Sequence, residues 1–251
     1  MGAPHRARLR TDPMSCVLGV DGARMGSVQG WLVCRLAEDA SPALSFVEEL
    51  TEALDANPAA EAVAVDVPIG HEDPHGDADG RRRADERARD LLGDRAASVF
   101  PVPPPDVMAA ETYEAAVDRA RQRDTIAPSR QAWALADRIR EVREVATGDP
   151  RLVEAHPELA FQAMAGTHDP DLAIGSKRSW RGRWARLSLL SAAGIELPRE
   201  AGEAGRARAH DVVDAAACAW VARRVRREAA RTVPTDPPTD PRTGRAVAIH
   251  V

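Results

Sequence analysis

Five acidic residues stand where short apolar stretches end or a helix begins. Val17-Leu18-Gly19-Val20-Asp21-Gly22 and Val63-Ala64-Val65-Asp66-Val67-Pro68 each read as a buried strand stopping on an Asp. Arg151 to Ala155 reads as a third strand carrying Glu154, and His210-Asp211-Val212-Val213-Asp214 opens an Ala-rich helix. Carboxylates so placed can converge and form an oxygen-lined site for Mg²⁺ or Mn²⁺, hard cations used in phosphoryl chemistry. Two-metal hydrolysis of a phosphodiester uses cations about 3.5 to 4 Å apart, held by carboxylates from different elements. Asp21 is the expected central ligand. Asp211 and Asp214, three apart on one helix face, are expected to point inward, with Asp66 and Glu154 completing the cluster.

Each acid also has a purely structural use. Asp21 before Gly22 could shape a turn, Asp66 could cap a loop, and Glu158 competes with Glu154 for its role. Asp211 could be a helix N-cap, with Asp214 a first-turn acid favoured by the helix dipole. His156 and His210 flank these acids and read as partners of neighbouring carboxylates or as metal ligands. Arg89, Ser98, Lys177 and Arg183 are the candidates for phosphate contact.

The elements that must position these groups follow from pattern. Cys16 to Val20, Gly30 to Leu36 and Leu44 to Glu48 read as an antiparallel meander, followed by a short helix from Thr51 to Ala56 and a strand from Ala62 to Asp66. Helical spacing marks Arg81 to Gly93, Glu111 to Arg123 and Ser129 to Thr147, with a proline-rich connector from Val99 to Pro105. These form an expected helical insertion, about residues 80 to 148, after the fourth strand. Helices are further expected over Leu159 to Ala165, Trp184 to Ala193 and Asp211 to Arg231. Pro234 to Pro241 reads as a spacer, and Ala246 to Val251 as an edge strand in a proline-rich tail from residue 232. Residues 1 to 14 read as a disordered leader, with Met14 an alternative start.

Composition limits the function. With 251 residues, 44% hydrophobic and 29% charged, the chain can bury a real core. Its net charge of -5 supplies no overall basic field for non-specific nucleic-acid binding, so phosphate contact must come from local patches. Three such patches exist, nearly all arginine. One of them, Lys177, Arg178, Arg181, Arg183 and Arg186, is interleaved with Trp180 and Trp184, a mixture suited to phosphate and base contact. Lys177 is the single lysine of the chain. Cys16, Cys34 and Cys218 lack metal-site spacing and read as buried small hydrophobes in a reducing compartment. With no long apolar run, a cytoplasmic protein without membrane contact is expected.

Six ordered runs carry a family resemblance: Gly19-Val20-Asp21-Gly22 with Gly30-Trp31; Asp66-Val67-Pro68-Ile69-Gly70; Ser98-Val99-Phe100-Pro101; Gln131-Ala132-Trp133 with Ile139-Arg140-Glu141-Val142; Glu154-Ala155-His156-Pro157-Glu158; and Asp211-Val212-Val213-Asp214-Ala215-Ala216. Together they resemble the DUF429 family of predicted RNase H-like nucleases, from about residue 16 to 231. The last run is also similar to the helix of RuvC-type resolvases. The sequence departs from the family pattern at Pro105, where an Arg is expected after the proline run. The resemblance implies an α/β fold, an RNase H-like mixed sheet flanked by helices, in one domain over residues 15 to 231. It also implies a metal-dependent nuclease acting on nucleic acid or a nucleotide-like phosphodiester. Two alternatives stay open: a phosphoryl-transfer protein of the actin or sugar-kinase type, in which Mg²⁺ arrives with a nucleotide, and a non-catalytic interaction module.

Overall fold

A computed structural model describes residues 15–38, 41–73 and 79–251. Strands β1 (Cys16–Met25), β2 (Val28–Ala37) and β3 (Ala43–Val47) form the meander. Helix α1 (Leu50–Asp55) and strand β4 (Ala60–Val65) follow. Five helices then intervene: α2 (Arg83–Leu92), α3 (Pro105–Met108), α4 (Tyr113–Gln122), α5 (Arg130–Trp133) and α6 (Ala136–Gly148). Strand β5 (Leu152–Ala155), helices α7 (Pro157–His168), α8 (Trp180–Ala192) and α9 (Ala209–Arg226), and strands β6 (Thr232–Val233) and β7 (Ile249–His250) complete the described chain. The sheet order is β3-β2-β1-β4-β5-β7-β6. Strands β1, β4, β5 and β7 run parallel and the remaining pairs antiparallel, giving the mixed, helix-flanked α/β sheet of the RNase H-like kind.

Alternation along the strands sorts their residues onto two faces. Val17, Ala62 and Ala64 pack with the alanines of α9 and with α7 and α8. Leu18, Val20, Val63 and Val65 pack with α1 and with Ile139 and Val142 of α6. Helix α9 lies so close on β1 that a Cβ at Gly19 would stand 1.9 Å from the Ala219 nitrogen. Only glycine in the strand and alanines in the helix permit that approach, which sets the height of α9 over the sheet. On the other face, Trp31 Nε1 donates to both oxygens of Glu141 at 3.0 and 3.1 Å, and Leu50 N–H to Oε1 at 2.6 Å. This triangle fixes α6 against β2 and α1.

Four sequence expectations change. Strand β1 does not stop at Asp21: it pairs with β2 through Met25↔Val28 around a two-residue turn at Gly26, whose φ is +64°. What ends near Asp21 is the parallel pairing with β4, at Val20↔Val65. The single helix expected over Ser129 to Thr147 is two, α5 and α6, interrupted at Ala134 and Leu135. Helix α9 begins two residues earlier than expected and ends at Arg226, with Glu228 then at a positive φ of 54°. Strand β7 is not an edge, because it inserts between β5 and β6, and β6 forms that margin. Residues 1 to 14, where the leader was expected, lie outside the described residues.

Candidate functional site

The parallel pairing ends where the acids begin. Asp66 follows β4 directly, and its N–H donates to Val20 O at 3.0 Å, so Asp21 and Asp66 leave adjacent strands side by side. Both share the face of Gly19 and Ala64, toward α9. That helix runs back over β1 with Ala215 and Ala219 against Gly19, which brings its first turns, carrying Asp211 and Asp214, over the strand end. Arg208, not Asp211, is the N-cap residue.

Electrostatics records the convergence of these four carboxylates. Asp21 is held well above the usual carboxylate range, first by burial and then by the fields of Asp66, Asp214 and Asp211. Asp66 is pushed up to about 6 by burial, with Asp214 and Glu154 adding to the effect and His156 and Lys177 opposing it. Asp214 and Asp211 are likewise raised, burial leading in both. The closest cation is the ammonium of Lys177, with Arg138 facing Asp21 and Asp211, Arg208 facing Asp211 and Arg186 facing Asp214. Lys177 Nζ sits 2.6 Å from Asp214 Oδ2. Burial opposes that charge, but Asp214, Asp66 and Asp21 outweigh it and hold the lysine above its ordinary value. The other oxygen of Asp214, Oδ1, is buried without a partner. His210 Nε2 lies 3.2 Å from Asp211 Oδ1, and burial lowers the histidine while Asp211 opposes it.

Glu154 is in a different state. Alternation along β5 places it on the face of Leu152 and Val65, opposite that of Asp66. Its Oε2 accepts from Arg82 Nη2 at 2.6 Å and from the Ile69 N–H at 2.9 Å. Arg82 is fully buried and also binds Asp85 at 2.9 Å, whose other oxygen accepts the Val102 N–H. Glu154 is thus bound to a buried guanidinium that it shares with Asp85, although it still lines the cleft and its charge still reaches Asp66. Glu158 is similarly occupied: Arg186 grips both its oxygens at 2.6 and 2.8 Å, and Arg95 binds it at 2.8 Å.

A cleft of about 950 Å³ opens over part of this cluster, and Asp211 and Asp214 are not among its lining residues. Asp21, Asp66, Glu154, His156, Ser98 and Lys177 line it, together with Arg95, Arg138 and Arg178. Arg138 was not foreseen; it donates to Ala23 O and Gly30 O at 2.7 and 3.2 Å, lying over Gly22 beside Asp21. Nothing in a helix rich in arginines singles it out, nor Arg82, Arg95 and Arg186. His156 contributes a buried, unpartnered Nδ1. Two phosphate candidates fall outside the cleft lining: Arg89 spends its guanidinium on Ala96 O and Val99 O, and Arg183 lies on α8. Two residues past Arg178, α8 starts with Trp180, 78% exposed, and one turn on Trp184 is 57% exposed.

The donor set near Asp21 is all oxygen, which suits Mg²⁺ or Mn²⁺, and the orphan Asp214 Oδ1 offers a free ligand atom. Among the described residues, however, no group of three or more His, Cys, Asp or Glu side chains stands close enough to form a ready-made metal cage. Among them, too, no helix is long and apolar enough to cross a membrane. The three cysteines are buried and free, and burial pushes the Cys34 thiol up to about 12.

Fold and site together define an α/β protein of the RNase H-like kind whose cleft gathers carboxylates at the end of a parallel strand pair. The chain belongs to the family described as "Protein of unknown function (DUF429)", whose sequence model matches residues 19–239. Comparison with curated proteins and with solved structures gives no match.

Proposed function

We propose that the protein is a metal-dependent hydrolase of phosphodiester bonds, with Asp21, Asp66, Asp211 and Asp214 holding Mg²⁺ or Mn²⁺. The observation that carries this reading is the convergence of four acids from β1, the end of β4 and α9, three of them buried and Asp66 half-buried, all held above the ordinary carboxylate range despite the cations near them. A divalent cation would relieve their mutual repulsion. When bound, it supplies Lewis-acid polarisation of a phosphoryl oxygen and an activated water. The chain's own residues do the rest. Lys177 and Arg138, beside the acids, offer positive charge to a phosphate brought into the cleft, and Arg178 extends it toward α8. His156, its Nδ1 buried without a partner, stands next to Asp66 in the cleft wall. Glu154 keeps a positioning role, holding the Val67-Pro68-Ile69 loop through the Ile69 N–H. Exposed Trp180 and Trp184 beside Arg178 and Arg181 support a nucleic-acid substrate, because bases stack on such rings at about 1–3 kcal/mol each.

Thermal unfolding with Mn²⁺ or Mg²⁺ tests the metal. At about 100 times Kd the cation adds about 2.7 kcal/mol, a rise of roughly 5–10 °C for a chain of this size. The rise is expected in the wild type and absent in Asp21→Asn, with cleavage of bis(p-nitrophenyl) phosphate following the same pattern. One observation favours a second reading: the 950 Å³ cleft has room for a whole nucleotide, as phosphoryl transfer with nucleotide-borne Mg²⁺ requires. A shift seen only with Mg²⁺ and ATP together would replace the first reading by the second.

A further inference from the structure

A second cleft, of about 480 Å³, lies on the α6 side of the sheet, away from the carboxylates, and shares none of the lining of the first. Its walls include the apolar side chains of Ile69, Met108 and Ile139, and its charged groups are four arginines, Arg140, Arg143, Arg242 and Arg245, against three acids, Asp106, Glu144 and Asp240. Each arginine is partnered differently. Arg143 is largely enclosed, gives its Nε to Ile69 O at 2.9 Å, and leaves Nη2 buried with no acceptor. Arg245 donates to the carbonyls of Ala146, Asp149 and Leu152, closing the C-terminal end of α6 with dipoles rather than with an acid. Arg242 has only a loose contact with Asp240 at 3.8 Å, and that carboxylate also accepts the His71 and Arg242 backbone N–H groups. Arg140 pairs with Asp137 on an exposed surface. Burial and the neighbouring charges of Arg82 and Arg242 pull Arg143 down to about 10, with Glu154 and Asp240 opposing, so it stays charged while crowded by other cations.

We propose that this second cleft is a binding site for a small phosphate-bearing ligand with an apolar or planar body, of the size of a nucleoside monophosphate. The anion would sit against Arg143 and Arg242, satisfying the orphan Nη2, and the body would cover Ile69, Met108 and Ile139. A planar guanidinium matches phosphate geometry, and the volume is in the range of small-ligand pockets. The site is wired to the first cleft by one residue. Ile69 gives its N–H to Glu154 and receives Arg143 at its carbonyl, three residues after Asp66.

The test uses the full chain at fixed ionic strength, with adenosine monophosphate and inorganic phosphate as probes and thermal unfolding as readout. Adenosine monophosphate is expected to raise the wild-type melting temperature more than phosphate does. Its apparent affinity should fall at least about tenfold in Arg242→Met and in Arg143→Met. Arg242 is the safer variant, because its side chain is 41% exposed and the bond from its backbone to Asp240 is retained. Lys177→Met and Asp21→Asn should bind the probe as the wild type does. No wild-type shift at about 10 mM probe, a shift that survives in both arginine variants, or loss in Lys177→Met instead would each overturn the proposal. None of these outcomes depends on whether the first cleft holds a metal.

Discussion

Asp66 and Glu154 leave neighbouring parallel strands within one residue of the same level, since Val65 pairs with Glu154, yet they are in opposite electrostatic states. Glu154 meets a buried guanidinium and a backbone donor, and nothing more is asked of it. Asp66 meets Asp21 and Asp214 and shares one lysine with them. The difference comes from the pleat: one position faces the insertion, which delivers Arg82, and the next faces α9, which delivers more carboxylates. A buried charge that the fold neutralises is architecture, while one that the fold leaves in excess is held for something from outside.

The contrast breaks most visibly at Arg82. Arg82→Met strands Glu154 and Asp85 in the interior and should cost about 3–5 kcal/mol in urea unfolding. A loss below about 1 kcal/mol would mean that the network was never ionised.

Acid-to-amide substitutions sharpen the comparison by sign. Glu154→Gln should destabilise, whereas Asp66→Asn should stabilise the metal-free protein by roughly 1–3 kcal/mol at pH 7.5. Asp66 is raised in the folded state from 3.8 to about 6, so its ionisation penalises folding above that range. The penalty fades as pH falls from about 6 toward 4, and the gain from Asn should fade with it. A pH-independent gain would assign the effect to packing.

A further effect has the reverse slope. Burial, then Arg82 and Arg143, lower His71 from 6.5 to about 4. The unfolded chain therefore takes up a proton that the folded one refuses. Stability should drop by about 1.4 kcal/mol per pH unit as pH falls between those values. His71→Asn, which keeps an acceptor for the Asp73 N–H, should remove that component from urea curves at pH 7 and 5.5.

The acids were legible because an apolar run of four or five residues that stops on an Asp is a local signal. The sheet itself followed from such runs. Neutralisation was not legible: Arg82 reaches Glu154 across 72 positions, and a triplet of arginines gives no hint of which one turns inward. Alternation could have separated Glu154 from Asp66, but only once the register of β4 and β5 was known. The break between α5 and α6 hides inside a continuous helical pattern. The two-residue strands β6 and β7 are too short for any period to mark, so the proline-rich tail conceals its place in the sheet.

A single lysine makes the protein its own reporter. Amine-reactive acylation has one side-chain target, Lys177, whose side chain is 40% exposed. While its ammonium is clamped on Asp214, little free amine exists to react. The mass of one peptide after a timed acylation pulse therefore counts how often that ion pair is open, with no substrate or mutation required.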